Sequence, residues 1–192
     1  MLCKLIICFS TPPALGLGIE PADKKIMNYP PSKSKQLFSK EVIMDTLVYG
    51  VFLGCIALSS FVFVLYGIYD GVIGENCNFV TEASINCNPV HRSRSTAFIT
   101  LSFLILLLAV ECKHFRKPIW RMKHWKNQVL FWTMIIGAAL TVPTLYIPVV
   151  NTNVFKHVPI DLEWAVVVVS LTVFLVVAEI YKFIKRRTMI KL

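Results

Sequence analysis

Apolar residues in this sequence lie in long blocks that are separated by polar, often basic, segments. The clearest block runs from Thr96 to Cys112. A helix of that length is about 25 Å long, close to the roughly 30 Å hydrocarbon core of a bilayer. Three further blocks of similar length cover residues 46–69, 128–150 and 164–181. The pattern therefore predicts an all-α fold, a polytopic helical membrane bundle with four full transmembrane helices.

The same pattern divides the chain into four segments. Residues 1–18 have an apolar core too short to span a bilayer, and we expect the end of a truncated membrane helix that ends or unwinds at Pro12 and Pro13. Pro143 and Pro148 are expected to kink the outer half of the third full span. The remaining segments are a Pro- and Lys-rich loop, a four-helix membrane domain and a cytoplasmic tail: residues 19–41, 42–187 and 188–192.

Composition and charge agree with a membrane protein and indicate its orientation. Hydrophobic residues make up 56% of the chain and charged residues 16%, which excludes an ordinary soluble domain. The net charge of +9 comes from lysines and arginines beside the apolar spans, with no motif of a nucleic-acid-binding fold, so we expect the lipid bilayer and no nucleic acid as partner. Segments 19–41, 113–126 and 182–191 carry five, six and five of these residues, and the two outer loops carry two and one. This asymmetry predicts an integral, multi-pass protein with both termini in the cytoplasm.

The sequence lacks the motifs of a soluble active site. It has no Gly-rich phosphate loop, no GxSxG elbow, no HExxH pair and no clustered His and Cys ligands, so we expect no catalytic residue and no metal centre. The four histidines all fall in predicted loops, where we expect surface positions: His91, His114, His124 and His157.

Carboxylates inside or beside the spans are the informative groups, because an ionisable side chain in a membrane helix is costly. Glu111 lies inside the cytoplasmic end of its helix, where it could coordinate a cation with Thr and Ser oxygens from its neighbours. Alternatively, Glu111 pairs with Lys113 or extends to the interface. For Asp45 we expect a position that favours a helix N-terminus, and for Glu179 an interfacial ion pair with Lys182.

The outer loop between the first two full spans contains Cys77 and Cys87. On the oxidising side of the membrane these two cysteines could form a disulfide. Two free thiols or a metal pair are the alternatives, although the spacing is not the CxxC of a zinc site.

The run PALGLGIEPADKKIMNYPP resembles the cytoplasmic loop after the sixth membrane helix of type II cation-transporting P-type ATPases. The order that follows is similar as well: an outer loop with paired cysteines, RSRSTAF before a helix that ends in Glu, a span containing FW, YIPVVN at its outer end, and VPIDLEW before the last helix. Together these features look most like the fungal sodium- or potassium-exporting subfamily, IID, and the resemblance covers residues 10–187.

The resemblance implies the C-terminal membrane part of a plasma-membrane pump, helices seven to ten with the end of helix six. Glu111 matches a cation-ligating Glu of the eighth helix in the calcium pumps, whereas Ser10 stands where those pumps carry a ligating Asp, which favours a monovalent cation, Na⁺ or K⁺. The loop residues Glu20, Pro21, Asp23, Pro30 and Pro31 would couple the membrane helices to the phosphorylation domain.

The chain has no D-K-T-G-T phosphorylation motif and no room for large cytoplasmic domains. We therefore expect a fragment that is inactive alone, with no cofactor of its own, whose parent family uses ATP and Mg²⁺. Its partners would be the missing ATPase domains or another pump chain. The alternative is a stand-alone four-helix membrane protein that acts as a structural or regulatory subunit.

Overall fold

The computed structural model describes residues 11–19, 40–71, 73, 87–113, 128–147 and 158–189. Every regular element in these ranges is helical, which confirms the predicted all-α fold. A π-helical segment, Phe63–Ile68, directly continues the second helix. The helices are α1 (residues 11–18), α2 (Lys40–Val62), α3 (Asn88–Cys112), α4 (Gln128–Thr141), α5 (Pro143–Tyr146) and α6 (Trp164–Met189).

Within the described ranges, three helical stretches are long and apolar enough to cross a membrane. They are Val42–Ile68, Asn88–Cys112 and Trp164–Arg187, with 27, 25 and 24 residues. At about 1.5 Å per residue each exceeds the roughly 30 Å of a hydrocarbon core, which leaves room for tilt. Helix α4 is also apolar but shorter. A helical membrane bundle is therefore the architecture of the described residues.

Helix α3 lies at the centre of the bundle. Half of its most apolar window is buried inside the protein, compared with 17% for α2 and 22% for α6. Helices α2 and α6 pack against α3 and against each other, and α4 packs against α3. The outward faces of α2 and α6 expose large apolar side chains such as Leu58 and Val169. An apolar exterior around a partly polar interior fits a lipid environment, where the outer surface gains nothing from being charged.

Two apolar clusters fill the contacts between these helices. The first cluster joins α2, α3 and α6, and the second joins α3, α5, α6 and the segment before α6. The first contains Tyr49, Leu53, Ile56, Leu104, Phe174 and Ala178. The second contains Phe98, Ile99, Leu145, Ile160 and Val167.

Helix α3 begins earlier than the apolar pattern predicts, because residues 88–95 are helical and not part of the outer loop. A proline in the first turn suits a helix start, since its missing N–H needs no partner there. The hydroxyls of Ser93 and Ser95 donate to the carbonyl oxygens of Pro89 and His91 one turn back. These polar side chains are thus satisfied within the helix, which a hydropathy pattern does not register.

The prediction that helical structure ends or unwinds at Pro12 and Pro13 is wrong for the described residues. Residues 11–18 are helical through both prolines. The fixed φ angle of proline is compatible with a helical backbone, so both residues can lie within one helix.

The apolar block 128–150 is interrupted where the sequence places Pro143. Helix α4 ends at Thr141, a turn follows at Val142, and α5 begins at Pro143. The proline cannot donate to a carbonyl in the preceding turn, so the two helices are separate pieces. Pro148, the second predicted kink, lies outside the described residues.

The π-helical segment ends in a left-handed turn that sets the position of Tyr69. Asp70 and Gly71 have φ angles of 53° and 73°, and the Gly71 N–H donates to the Leu65 carbonyl oxygen over 2.9 Å. A Cβ atom on Gly71 would come within 2.6 Å of the Tyr66 ring. Glycine is therefore required both by the backbone conformation and by the space.

Candidate cation site and buried ion pairs

The carboxylate of Glu111 is enclosed in the last turn of the central helix. Glu111 is only 1% exposed and lies on the buried stripe of α3 that also contains Thr96, Thr100 and Leu104. Positions separated by three or four residues share one helix face, so this stripe carries Glu111 into the protein interior. Glu111 therefore lies inside the end of its helix, as the sequence predicted, and the cytoplasmic location of this end remains a prediction.

Lys182 of α6 is the ion-pair partner of Glu111. Its Nζ contacts Oε2 of Glu111 and also donates to the Glu111 backbone carbonyl oxygen over 3.3 Å. Lys182 is 1% exposed and continues the buried stripe of Phe174 and Ala178. Glu111 of α3 thus has an ion-pair partner on another helix, and the interfacial ion pair expected of Glu179 remains a prediction.

A second buried carboxylate, Asp45, is held by the same turn of α6. The Tyr181 hydroxyl donates to Asp45 Oδ1 over 2.7 Å, and Lys185 Nζ forms an ion pair with Oδ2. Asp45 is 5% exposed and lies one turn before the buried Tyr49. It is therefore an interior residue of α2, and the view that Asp45 only favours a helix start is wrong.

The two ion pairs together join the three long helices at one end of the bundle. Asp45 on α2 and Glu111 on α3 both face α6, where their partners Lys182 and Lys185 are three residues apart. In an interior of low dielectric constant, each charge is costly unless it is paired, so both pairs fix the relative positions of the helices. Each of these two buried carboxylates therefore has a cationic partner on α6.

Oxygen atoms at Glu111 define what the site could bind. Glu111 Oε1 is buried and has no hydrogen-bond partner within the described ranges, and neither has the hydroxyl of Thr100. Ser102 is the hydroxyl residue of α3 closest to Glu111 in sequence, about 13 Å along the helix axis, and it donates to Phe98. Neighbouring Ser and Thr oxygens of α3 therefore do not surround Glu111 in this conformation. The described residues contain no group of three or more His, Cys, Asp or Glu side chains that could hold a metal ion.

A separate polar cluster, the outer cluster, joins α2, α3 and α6 at the opposite end. Tyr69 donates to Oε1 of the fully buried Glu163 over 2.6 Å, and Arg92 donates to the same oxygen over 3.2 Å. Oε2 of Glu163 accepts the backbone N–H of Asp161 over 2.9 Å. Glu163 directly precedes α6, and both of its carboxylate oxygens thus accept hydrogen bonds.

The hydrogen bonds of the outer cluster change the acidity of its members. Burial alone would raise the pKa of Glu163, but the hydrogen bonds from Tyr69, from backbone N–H groups and from Arg92 together lower this pKa below its ordinary value. Burial raises the pKa of Tyr69, and the hydrogen bond to Glu163 raises it further. The cluster therefore favours an ionised Glu163 beside a neutral Tyr69.

Several residues predicted to be functional lie outside the described ranges. These are the coupling-loop residues Glu20, Pro21, Asp23, Pro30 and Pro31, the cysteine Cys77, and Ser10. Cys87 is described, and it is buried and disulfide-bonded. Its pairing with Cys77 remains a prediction. His91 was expected on a surface loop but is buried in α3, because the helix extends past the apolar block.

Reasoning from the sequence missed Lys182 and Glu163 as interior residues. The signal for Lys182 was its phase: it follows Phe174 and Ala178 at intervals of eight and four residues, on the face that packs inward. For Glu163 the sequence gives no comparable signal, since its partners Tyr69 and Arg92 are 94 and 71 positions away.

The amino-acid sequence of this chain is similar to those of known proteins. A family model for the C-terminus of cation-transporting ATPases matches residues 5–184. A sodium/potassium-exporting P-type ATPase of Saccharomyces cerevisiae is 39% identical over 197 residues, which cover 95% of this chain and 18% of that protein. A sodium/potassium-exporting P-type ATPase of Schizosaccharomyces pombe is 36% identical, over 96% of this chain and 19% of that protein.

A calcium-transporting ATPase of Bacillus cereus is more distant, with 27% identity over 92% of the chain. The chain thus spans about a fifth of the length of the curated relatives it matches. The family match covers nearly all of its residues, including Asp45, Glu111 and Lys182. The chain therefore belongs to the family of cation-transporting ATPase C-terminal regions.

Proposed function

We propose that this chain forms the C-terminal part of the transmembrane ion pathway of a P-type pump that exports sodium or potassium, with Glu111 as a ligand of the exported cation. The relatives at 36–39% identity are sodium/potassium-exporting P-type ATPases, which supports the choice of ion. The observation that carries the proposal is the burial of Glu111 at the end of the central helix, where α2, α3 and α6 meet. A carboxylate at such a position is costly to maintain, and ion pathways are the common reason for one.

The remaining parts of the proposal follow from charge and resemblance. The basic segments support a cytoplasmic location of both termini and of the Glu111 end of α3, and the resemblance supports the plasma membrane. On that side Glu20, Pro21, Asp23, Pro30 and Pro31 would contact the phosphorylation domain, which would bind ATP and Mg²⁺ outside this chain. On the opposite side Cys77 and Cys87 would form a disulfide in the outer loop.

The proposal is tested in a chimera in which this chain replaces the matching C-terminal region of the Saccharomyces cerevisiae pump. Membranes from cells without other such pumps are assayed for ATP hydrolysis as the sodium or potassium concentration rises. We expect cation-stimulated hydrolysis that is lost in the double variant Glu111→Gln/Lys182→Met. The double variant removes the ligand without leaving an unpaired ammonium group in the interior, so a loss is not explained by a stranded charge.

Asp161→Asn is the matched control, because Asp161 is a carboxylate with a side chain that is 80% exposed at the other end of the bundle. We expect this variant to keep the cation dependence of the unmodified chimera. Unchanged stimulation in the double variant, at the same level of chimera in the membrane, would contradict a ligand role for Glu111.

A further inference from the structure

The ammonium group of Lys182 occupies the place that a cation ligated by Glu111 would need. Its Nζ contacts Oε2 of the carboxylate and donates to the Glu111 backbone carbonyl oxygen over 3.3 Å. Carboxylate and carbonyl oxygens are the ligands that proteins offer to alkali and alkaline-earth cations. Lys182 thus satisfies Glu111 with a positive charge that belongs to the protein.

Both buried carboxylates described at this end of the bundle already have a lysine partner. Glu111 is balanced by Lys182, and Asp45, the other buried carboxylate of this end, is balanced by Lys185. Glu179 lies one turn before Lys182 and adds a partly buried carboxylate on the same helix. Adding a free cation beside Lys182 would put two positive charges against Glu111 in a medium of low dielectric constant. Binding of a cation at Glu111 therefore requires the ammonium group to move away.

The Lys182 side chain is long enough for its ammonium group to move away from Glu111. Four methylene groups give its head a long reach, and Lys182 lies in the part of α6 that leads to the basic end of the helix. Glu111 Oε1 is buried without a hydrogen-bond partner in the described part of the chain, so the carboxylate retains an open acceptor for an incoming ion. The site can thus exchange one positive charge for another without changing its balance.

We propose that Lys182 is a tethered cation that competes with the transported cation for Glu111, so that the two bind this carboxylate in alternation. This inference rests on the proposed ligand role of Glu111 and adds a residue that sets the apparent affinity of the site. Removing the ammonium group then strengthens cation binding at Glu111. Replacing it with another cationic side chain preserves the competition.

The test uses the full chain in lipid nanodiscs and follows thermal unfolding in sodium, potassium or choline chloride at equal ionic strength. A cation that binds the folded state alone raises the unfolding temperature as its concentration increases. For Lys182→Met we expect a sodium- or potassium-specific rise, with a midpoint concentration at least about tenfold lower than in the unmodified chain. Lys182→Arg should respond like the unmodified chain, and Glu111→Gln/Lys182→Met should unfold at the same temperature in all three salts.

Three results would overturn the inference. The first is a Lys182→Met response no larger than that of the unmodified chain, and the second is an equal response in the double variant. The third is failure of Lys182→Met to fold at any sodium or potassium concentration while the double variant folds, because a free cation then cannot replace the ammonium group. This equilibrium measurement needs no pump activity. A failed competition can therefore be told apart from a failed role in export, which the chimera reports.

Discussion

The charged side chains buried inside this bundle form ion pairs whose contribution to stability can be measured. Lys182 and Glu111 are each about 1% exposed, so their pairing offsets two desolvation penalties. Removing one partner leaves the other as an uncompensated charge, whereas removing both leaves polar or apolar groups. Stability measurements on single and double variants therefore separate the cost of a stranded charge from the net contribution of the pair.

At Lys182 we expect Lys182→Met to lower the free energy of unfolding by about 3–5 kcal/mol in buffer without sodium or potassium, because Glu111 is left buried and unpaired. The double variant Glu111→Gln/Lys182→Met should recover more than about half of that loss. Equilibrium unfolding in detergent micelles, with choline as the salt, provides the comparison. A double variant less stable than Lys182→Met would argue against a mutual pair.

The lowered pKa of Glu163 predicts how the stability of the protein depends on pH. Its pKa is lowered in the folded state, so the outer cluster stabilises the protein fully above the ordinary value of about 4.3, and this contribution is lost as the pH falls below it. At about pH 7 we expect Glu163→Gln to cost about 1.5–3 kcal/mol, since charged hydrogen bonds are lost. The difference between variant and unmodified chain should shrink between about pH 5 and pH 3. A difference that stays constant over this range would contradict the role given to the ionised carboxylate.

Helices show where a hydropathy pattern succeeds and where it fails. The apolar blocks predicted α3, α4 and α6 in the right places, because burial in lipid or protein demands apolar side chains over whole turns. The start of α3 was missed because residues 88–95 are polar yet internally hydrogen-bonded. The inward face of each span was not predicted either, since an apolar residue suits both lipid and a neighbouring helix.

Helix α1 packs against α4 through a glycine, which gives a test of packing between elements. A Cβ atom on Gly16 would lie 3.0 Å from the Leu130 Cα atom, whereas one on Gly18 would meet nothing within 4 Å. Gly16→Val should therefore lower the free energy of unfolding by about 1–3 kcal/mol more than Gly18→Val does. Unfolding of the two variants in detergent micelles gives the comparison, and equal losses would mean that α1 does not dock on α4.

For the molecule as a whole, composition and blocks of hydrophobicity were sufficient for the fold class. They were insufficient for the site: Glu111 was identified by its place in an apolar span, but its partner Lys182 is 71 positions away and had been assigned to the basic end of the last helix. Long-range pairing depends on how helices rotate about their axes, which the sequence encodes only through weak stripes of buried positions.

The orientation of the whole molecule in the membrane is also a prediction. The distribution of lysine and arginine predicts that both termini are cytoplasmic. In sealed membrane vesicles with the cytoplasmic side outward, protease should remove tags placed at either terminus, and a tag in the outer loop should be protected. Protection of one terminal tag would mean an odd number of crossings.

Ion export itself can be followed as the efflux of isotopic sodium from yeast cells that lack their own sodium pumps and express the chimera with this chain. We predict efflux with the unmodified chain and with Asp161→Asn, and none with Glu111→Gln/Lys182→Met at equal amounts in the plasma membrane. Sodium efflux that continues at the same rate without Glu111 and Lys182 would contradict the assignment of this buried pair to the ion pathway.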